Sequence, residues 1–290
     1  MHMAIPVHAR TYLLVGALTR DLTEEGFRYG GTVTYAGLTA MALGYGIKIL
    51  TTCAPDETVR ELLPGATIHI LDSLTTTTFR NQDTPSGRIQ QLLATGRYIQ
   101  PNMVPQTFFS ADIIHIAPVA DECPRELLEV FPRGRLVATL QGWFRTWDSS
   151  GMVSLQKVSP EKLAGFYVVV LSLEDLDGDL AYARALAGIV PIFVVTEGHL
   201  GARLFWQGSE RIFPAPKVQE KDPCGAGDIF AAAFFSALDQ GHSPGTAVRF
   251  ANRLAAFSVS RLGLASVPTA LEIQKAGILL DEALPHTSGT

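Results

Sequence analysis

Asp222-Pro223-Cys224-Gly225-Ala226-Gly227-Asp228 joins an irregular, proline-containing loop to an apolar run, Ile229-Phe230-Ala231-Ala232-Ala233-Phe234-Phe235. A Gly-Ala-Gly turn that opens a helix makes an anion site, because free backbone N–H groups and the positive end of the helix dipole converge there. Small residues let a phosphate approach the backbone closely. Asp228 falls in the first helical turn, beside that site. A carboxylate there opposes simple anion binding. It makes chemical sense if it takes a proton from a hydroxyl that attacks the phosphate. A plain helix start with a capping Asp is the simpler alternative, and it leaves the glycines unexplained.

Three further segments carry residue types that suit such chemistry. Gly30-Gly31-Thr32-Val33-Thr34-Tyr35-Ala36, running on to Leu43-Gly44, is a diglycine that opens a helix. Alone it reads equally well as a tight turn plus a cap. Thr196-Glu197-Gly198-His199-Leu200-Gly201-Ala202 ends an apolar strand. It is either an ordinary strand–turn–strand connection or a ligand edge, since ligands bind at the carboxyl ends of parallel strands. Asn252 lies on a small-residue helix over 246–260. A lone Asn among alanines is usually a packing or helix-bonding residue.

The elements that must position these residues follow an α/β rhythm. Buried strands are expected at 12–18, 47–52, 67–71, 113–116, 136–140, 167–171 and 192–196. Helices are expected at 34–43, 125–131, 160–164 and 179–187, and through most of 229–262. Continuous apolar strands alternating with helices indicate a parallel sheet covered on both faces. The polar, β-branched runs at 75–81 and 88–93 flank Asp83-Thr84-Pro85-Ser86-Gly87 and read as a half-exposed hairpin. With the segment after Asp21 it forms a small sheet apart from the core. A second hairpin is expected at 202–213.

Composition limits the function classes. The 290 residues are 47% hydrophobic and 18% charged, so one large α/β domain with a sizeable core is expected. The net charge of −5 offers no electrostatic footprint for nucleic acid or an anionic membrane. An anionic ligand must be held by local geometry. Cys53, Cys123 and Cys224 are far apart and lack metal-ligand spacing, which suits reduced thiols in a cytoplasmic protein. The seven histidines show no paired spacing for zinc. Neither a signal peptide nor an apolar run long enough to span a bilayer is read.

Taken in order, the Val15-Gly16…Asp21 opening, the diglycine segment, the Thr196-x-Gly198-x-x-Gly201 turn, the Asp222–Asp228 segment and the small-residue helix resemble the ribokinase-like (PfkB) carbohydrate kinase family. The resemblance runs from about Tyr12 to Thr269. It implies a doubly wound, mostly parallel sheet sandwiched by helices over 1–290, with a small β lid from segments near 21–31 and 75–98. It implies transfer of the ATP γ-phosphate to a sugar or polyol hydroxyl with Mg²⁺. On this resemblance Asp228 is the general base, and Gly225, Ala226 and Gly227 donate N–H groups to the moving phosphate. Asp21 and Gly31 contact substrate hydroxyls and Gly30 shapes that turn. Thr196, Gly198, Gly201 and Asn252 flank the nucleotide.

Several positions depart from the family pattern. Tyr35 stands where the family often has Asn, and Cys224 where Thr is common. The Asn-x-x-Glu motif that orders Mg²⁺ through water appears as Ser172-Leu173-Glu174-Asp175, with Asp175 at the matching position and Glu174 a spare carboxylate. Some members bind a monovalent cation, which would fall near Asp222 and Ser266. The stretch from Thr139 to Val153 looks like that of plant-type myo-inositol kinases, which marks Gln141, Arg145 and the more distant Arg88 as substrate residues. Surface or packing roles at a cleft edge fit them equally. Trp143 and Trp147 are read as pocket walls or core. The expected substrate is a small cyclitol or sugar. A nucleoside kinase of the same family, or a non-catalytic sugar or nucleotide sensor, are the alternatives. Monomer and lid-paired homodimer both remain open.

Overall fold

The computed structural model describes residues 10–84, 87–131 and 136–281, with the side chains at 83–84, 87–88 and 278–281 outside that description. The first part of the chain forms β1 (Thr11–Val15), β2 (Thr19–Thr23), β3 (Gly26–Gly30), α1 (Thr32–Ala42), β4 (Gly46–Cys53), α2 (Val59–Leu62), β5 (Thr67–Asp72), β6 (Thr77–Thr84) and β7 (Gly87–Ala94). The middle forms β8 (Ile113–Ile116), β9 (Leu136–Thr139), β10 (Arg145–Trp147), β11 (Val153–Leu155), β12 (Val168–Ser172), α3 (Leu180–Ala187) and β13 (Ile192–Thr196). The rest forms β14 (Ala202–Trp206), β15 (Ser209–Phe213), α4 (Ala226–Asp239), α5 (Pro244–Ser258) and α6 (Ala270–Asp281).

Nine strands make one sheet in the order β15-β14-β13-β12-β9-β8-β1-β4-β5. The pairings from β5 to β13 are parallel, and only β14 and β15 run antiparallel at one edge. The strands are apolar on both faces because both faces are covered. Along β1, Tyr12 and Leu14 join a core that includes residues of α1, α4 and α5, whereas Leu13 and Val15 join the opposite core. Ile192 and Val194 of β13 divide from Phe193 and Val195 in the same way. The α/β class expected from the sequence is the one observed.

Some helical expectations change in kind. The segments expected at 125–131 and 160–164 fold as 3₁₀ turns, Arg125–Val130 and Pro160–Leu163. Each is too short for two α turns, and each starts at or just after a proline. The mainly helical stretch expected over 229–262 divides into α4 and α5. Gly241 at φ 90° ends one, and Ser243 caps the next by accepting the Thr246 N–H, with Pro244 at its first position.

A second sheet of four strands, β3-β2-β6-β7, arises from the segments after Leu18 and around the 75–94 hairpin. The sequence did not reveal β10 and β11. This short antiparallel pair borders the four-stranded sheet, with Leu92 donating its N–H to the Gly151 carbonyl at 2.8 Å. Gly151 is required there, since a Cβ would lie 2.1 Å from the Leu92 carbonyl oxygen.

Chain order reverses beside β1. From β1 the chain runs outward to β4 and β5, then returns to place β8, β9, β12 and β13 on the other side. The crevice between the carboxyl ends of β1 and β8 is the topological switch point. Glu122 seals it from behind. Its side chain is buried, and it accepts the N–H groups of Ala17, Val119 and Ala120 at 2.8–3.1 Å. Burial pushes its carboxyl above the usual range while these N–H groups pull it down. One carboxylate thus ties the exit of β1 to the exit of β8. Glu122→Leu leaves these N–H groups without their acceptor, and should cost roughly 2–5 kcal/mol in urea unfolding.

Candidate active site

The parallel strands deliver their carboxyl ends to one cavity of about 260 Å³. Thr139 comes from the end of β9, Ser172 from the end of β12 and Thr196 from the end of β13. Val119 follows β8. The turn before α4 contributes Pro223, Cys224, Gly225, Gly227 and Asp228. The four-stranded sheet supplies the facing wall: Thr19 and Asp21 of β2, Phe79 and Asn81 of β6, Gln90 of β7. Strand alternation explains the set. Asp21 pairs with Phe79 and Asn81 with Gln90, so all of them share one face.

Gly225 sits at φ 77°, a left-handed conformation that caps α4 and turns the first-turn N–H groups of Gly227 and Asp228 away from any preceding carbonyl of the helix. The turn is held from both sides. Asp222 accepts the Cys224 N–H at 2.9 Å and the Gly263 N–H at 3.1 Å, and the Lys221 N–H reaches the Val259 carbonyl at 2.7 Å. The buried ring of Tyr35 covers Gly225 so closely that a Cβ would come within 2.4 Å of it. The Tyr35 hydroxyl donates to the Cys224 sulfur at 3.7 Å, and burial pushes its own pKa up.

Asp228 lines the cavity and accepts a hydrogen bond from the buried Thr32 hydroxyl at 2.7 Å. Loss of water raises its carboxyl to about 6. The Thr32 hydrogen bond and the charge of Arg145 oppose that shift, and Asp175 and Asp21 add to it. The result is a carboxyl that is ionised near neutrality and can still accept a proton. Thr32 was not singled out in the sequence. The available signal was its place directly after the diglycine. Gly31 caps α1 at φ 82°, which sets Thr32 at the first helical position, facing Asp228.

Arg145 donates to the Gln141 side-chain oxygen at 2.9 Å and to the Val119 carbonyl at 3.2 Å, and lies over the Phe79 ring. Behind Thr139, His115 is buried and held neutral. Burial lowers its pKa to about 3, with Thr139 at 2.8 Å on one nitrogen and Tyr12 at 3.0 Å on the other.

Residues 167–270 match the pfkB family carbohydrate kinases. Ribokinase of Bacillus subtilis (strain 168) is 38% identical over 98 residues, 33% of this chain and 33% of that protein. Inositol 3-kinase of Oryza sativa subsp. japonica is 48% identical over 77 residues, 26% of this chain and 18% of that protein. The chain thus spans a third or less of the length of these curated relatives. A solved pyrophosphate-dependent kinase of the ribokinase family, complexed with a pyrophosphate analog and myo-inositol, shares the fold. Its TM-score is 0.78 at 18% identity over 91% of this chain and 100% of that one.

The structure gathers Asp228, Gly225, Gly227, Asp21, Gly31, Tyr35, Gln141, Arg145, Thr196, Asp175 and Glu174 around the cavity. Ala226 and Gly30 adjoin it in sequence, but the Ala226 N–H, expected to face a phosphate, is given to the Pro223 carbonyl at 3.1 Å. Gly30 is required beside Asp21, because a Cβ would lie 2.6 Å from that carboxylate. Arg88 lies on β7, and its side chain is outside the described residues. Gly198, Gly201 and Asn252 do not line the cavity. Gly201 is pressed against Phe213, where a Cβ would meet the carbonyl oxygen at 2.1 Å, and buried Asn252 donates to that same carbonyl at 2.9 Å. Neither tryptophan walls the cavity. Trp143 is core and donates its indole N–H to the Cys123 carbonyl at 2.7 Å, while Trp147 is exposed on β10.

Asp175 and Ser172 hold each other. Ser172 donates both its N–H and its hydroxyl to Asp175, at 2.9 and 2.7 Å, and receives the Asp175 N–H at 3.0 Å. The sequence did not single out Thr19, Phe79, Asn81 or Gln90 as site residues. Their signal was the period of two on the hairpin.

Two stability contrasts follow from this geometry. Gly225→Ala should lower the melting temperature strongly, being both left-handed and in collision with Tyr35. Gly227→Ala has nothing within 4 Å of its new methyl and should melt at or slightly above wild type. Asp228 is more basic in the folded state than when unfolded, so ionising it costs stability as pH rises through about 6. Asp228→Asn should therefore melt higher than wild type at pH ~8, with the difference shrinking to nothing near pH ~4.

Proposed function

We propose that this protein is an ATP-dependent kinase that transfers the γ-phosphate to a hydroxyl of a small sugar or cyclitol, a myo-inositol-like ring being favoured. The observation that carries this reading is the Asp228 carboxylate in the first turn of α4, held by Thr32, raised to about 6, and adjacent to the Gly225–Gly227 amides. The substrate oxygen forms a bond to the terminal phosphorus as the bond to the leaving phosphate breaks. The hydroxyl proton passes to Asp228, and the open first-turn amides of Gly227 and Asp228 neutralise charge on the equatorial oxygens. Asp21 and Gln141 orient the ring, and the charge of Arg145 keeps Asp228 ionised.

Asp175 and Glu174 line the donor side of the cavity and suit Mg²⁺, which takes one or two carboxylates plus phosphate oxygens and waters. Among the described residues no group of three or more His, Cys, Asp or Glu is placed to hold a metal by itself, which fits an ion carried in with the donor. When bound, it would neutralise the phosphates. A monovalent cation would suit the buried Ser266 hydroxyl, which has no hydrogen-bond partner among the described residues and follows the Gly263 N–H bound to Asp222. The four-stranded sheet is the lid in this reading, and would exclude water that competes with the polyol. Small-molecule substrates are the expected partners, with pairing of lids between two copies as the expected dimer contact. Among the described residues no helix is long and apolar enough to cross a membrane.

A second reading changes only the donor. Gly201 and Asn252 hold backbone together at Phe213, and neither they nor Gly198 line the cavity. That favours a donor gripped by its phosphates, such as inorganic pyrophosphate, over one read by its base. ADP or phosphate release with ATP and with pyrophosphate, across inositols, ribose, fructose and nucleosides, separates the two.

Asp228→Asn should still bind donor and polyol and turn over at least about a hundredfold more slowly. Near-wild-type turnover would sink the assignment. The wild-type rate should fall with unit slope as pH drops below about 6, the pH at which Asp228 takes up its proton.

A further inference from the structure

Three polar side chains cross the apolar face of the large sheet beneath α4 and end in the cavity. Tyr12 of β1, His115 of β8 and Thr139 of β9 stand on three neighbouring strands, and Phe235 of α4 packs edge-on against the His115 ring. The Tyr12 hydroxyl meets His115 Nδ1 at 3.0 Å, and His115 Nε2 meets the Thr139 hydroxyl at 2.8 Å. Tyr12 and His115 are fully buried, whereas Thr139 lines the cavity. Among the described residues neither hydroxyl has another hydrogen-bond partner. Burial raises the Tyr12 phenol well above its ordinary value, and the charges of Tyr45 and Asp228 add to the shift, so the chain of bonds passes near the proposed base.

Counting protons fixes the direction of these bonds. The buried, neutral imidazole carries one proton and has one bare nitrogen. A proton on Nδ1 would leave the Tyr12 hydrogen buried with no acceptor. Tyr12 therefore donates to a bare Nδ1, the ring proton sits on Nε2, and Nε2–H donates to the Thr139 oxygen. The Thr139 hydrogen is left to point into the cavity. The other tautomer would draw that hydrogen onto the ring and face the cavity with lone pairs alone. An unprotonated phosphoryl oxygen only accepts, so the first arrangement attracts it and the second repels it.

We propose that Thr139 is a hydrogen-bond donor to the transferred phosphoryl group, and that His115 and Tyr12 are the positioning residues that fix its hydrogen toward the cavity. This rests on the phosphoryl-transfer reading above. The open first-turn amides of α4 meet the phosphoryl oxygens from the helix, and Thr139 meets them from the sheet. The donor is oriented before the reaction, so it needs no reorganisation as charge moves. A polyol hydroxyl can donate as well as accept and gains little from this polarity. The relay therefore acts on the anion.

The tautomer is tested by NMR of protein labelled with heavy nitrogen at histidine. The imidazole signals that vanish in His115→Phe should report a protonated Nε2 and a bare Nδ1. A proton on Nδ1 would overturn the proposal. Calorimetric binding of inorganic phosphate and of myo-inositol, each alone, tests the donor and needs no turnover. Thr139→Val should weaken phosphate binding about tenfold and leave inositol binding within about twofold, while Thr139→Ser should keep both near wild type. An unchanged phosphate affinity in Thr139→Val, or equal losses for the two ligands, would also overturn it. His115→Phe should weaken phosphate binding about threefold or more when Thr139 is present and by nothing further in Thr139→Val. The same loss in both backgrounds would show a merely structural histidine. Phosphate binding that follows these expectations, with no polyol phosphorylated, would sink the kinase reading and leave Thr139 standing as an anion donor.

Discussion

The Glu122 carboxylate holds the two strand exits on which the site depends. Parallel strands need long crossovers, and at the switch point the chain leaves β1 and β8 in opposite directions. The N–H groups exposed there cannot pair with one another. A buried acceptor satisfies three of them together, at Ala17, Val119 and Ala120. From Ala17 the chain enters β2 and brings Asp21 to the cavity. From Val119 a carbonyl accepts from Arg145, whose charge acts on Asp228. One buried group therefore sets both the wall that carries Asp21 and the electrostatics of the proposed base.

The α4 end of the cavity combines two opposed requirements. A phosphate needs open amides and positive potential, whereas a base needs an ionised carboxylate in the same turn. The geometry reconciles them by division of labour. The left-handed Gly225 exposes the amides, and Thr32 reaches across from α1 to hold the carboxylate. The Thr32 hydrogen bond and the charge of Arg145 keep Asp228 from rising further than about 6. Tyr35 and Asp222 fix the turn by packing and hydrogen bonds, so Tyr35 shapes the backbone as well as lining the cavity.

What was legible in the sequence follows what is locally encoded. The apolar strands and the Gly-Ala-Gly turn depend on short-range pattern, and they appear at the expected places with boundary shifts of up to three residues. The 3₁₀ segments were misread because a short apolar stripe does not distinguish i+3 from i+4 pairing until length decides. Pairing between distant strands has no local signal. Thr32 meets Asp228 across 196 positions, and Asn81 meets Asp21 across 60. The β10–β11 pair was invisible for the same reason. Its placement depends on Gly151 meeting Leu92, a contact set by the hairpin's position. Gly201 was read as part of a ligand edge because glycines at a strand end fit both ligand approach and backbone approach. Here the second is seen, with the Phe213 carbonyl in the space a side chain would fill.

The two walls of the cavity differ in how freely they can change. Asp228, Thr32 and Gly225 sit on helices whose other faces are core, so their positions are coupled to packing throughout the large sheet. Asp21, Asn81 and Gln90 sit on a thin sheet with Phe27, Ile89 and Leu93 exposed. Substitutions there disturb few buried contacts. A fold built this way can keep one reaction on the rigid wall and alter the acceptor it reads on the other, at small cost in stability. The same asymmetry explains why a reaction class can be read from a turn signature while the acceptor hydroxyl cannot. The first is written into seven consecutive residues, 222–228, and the second into a register between strands.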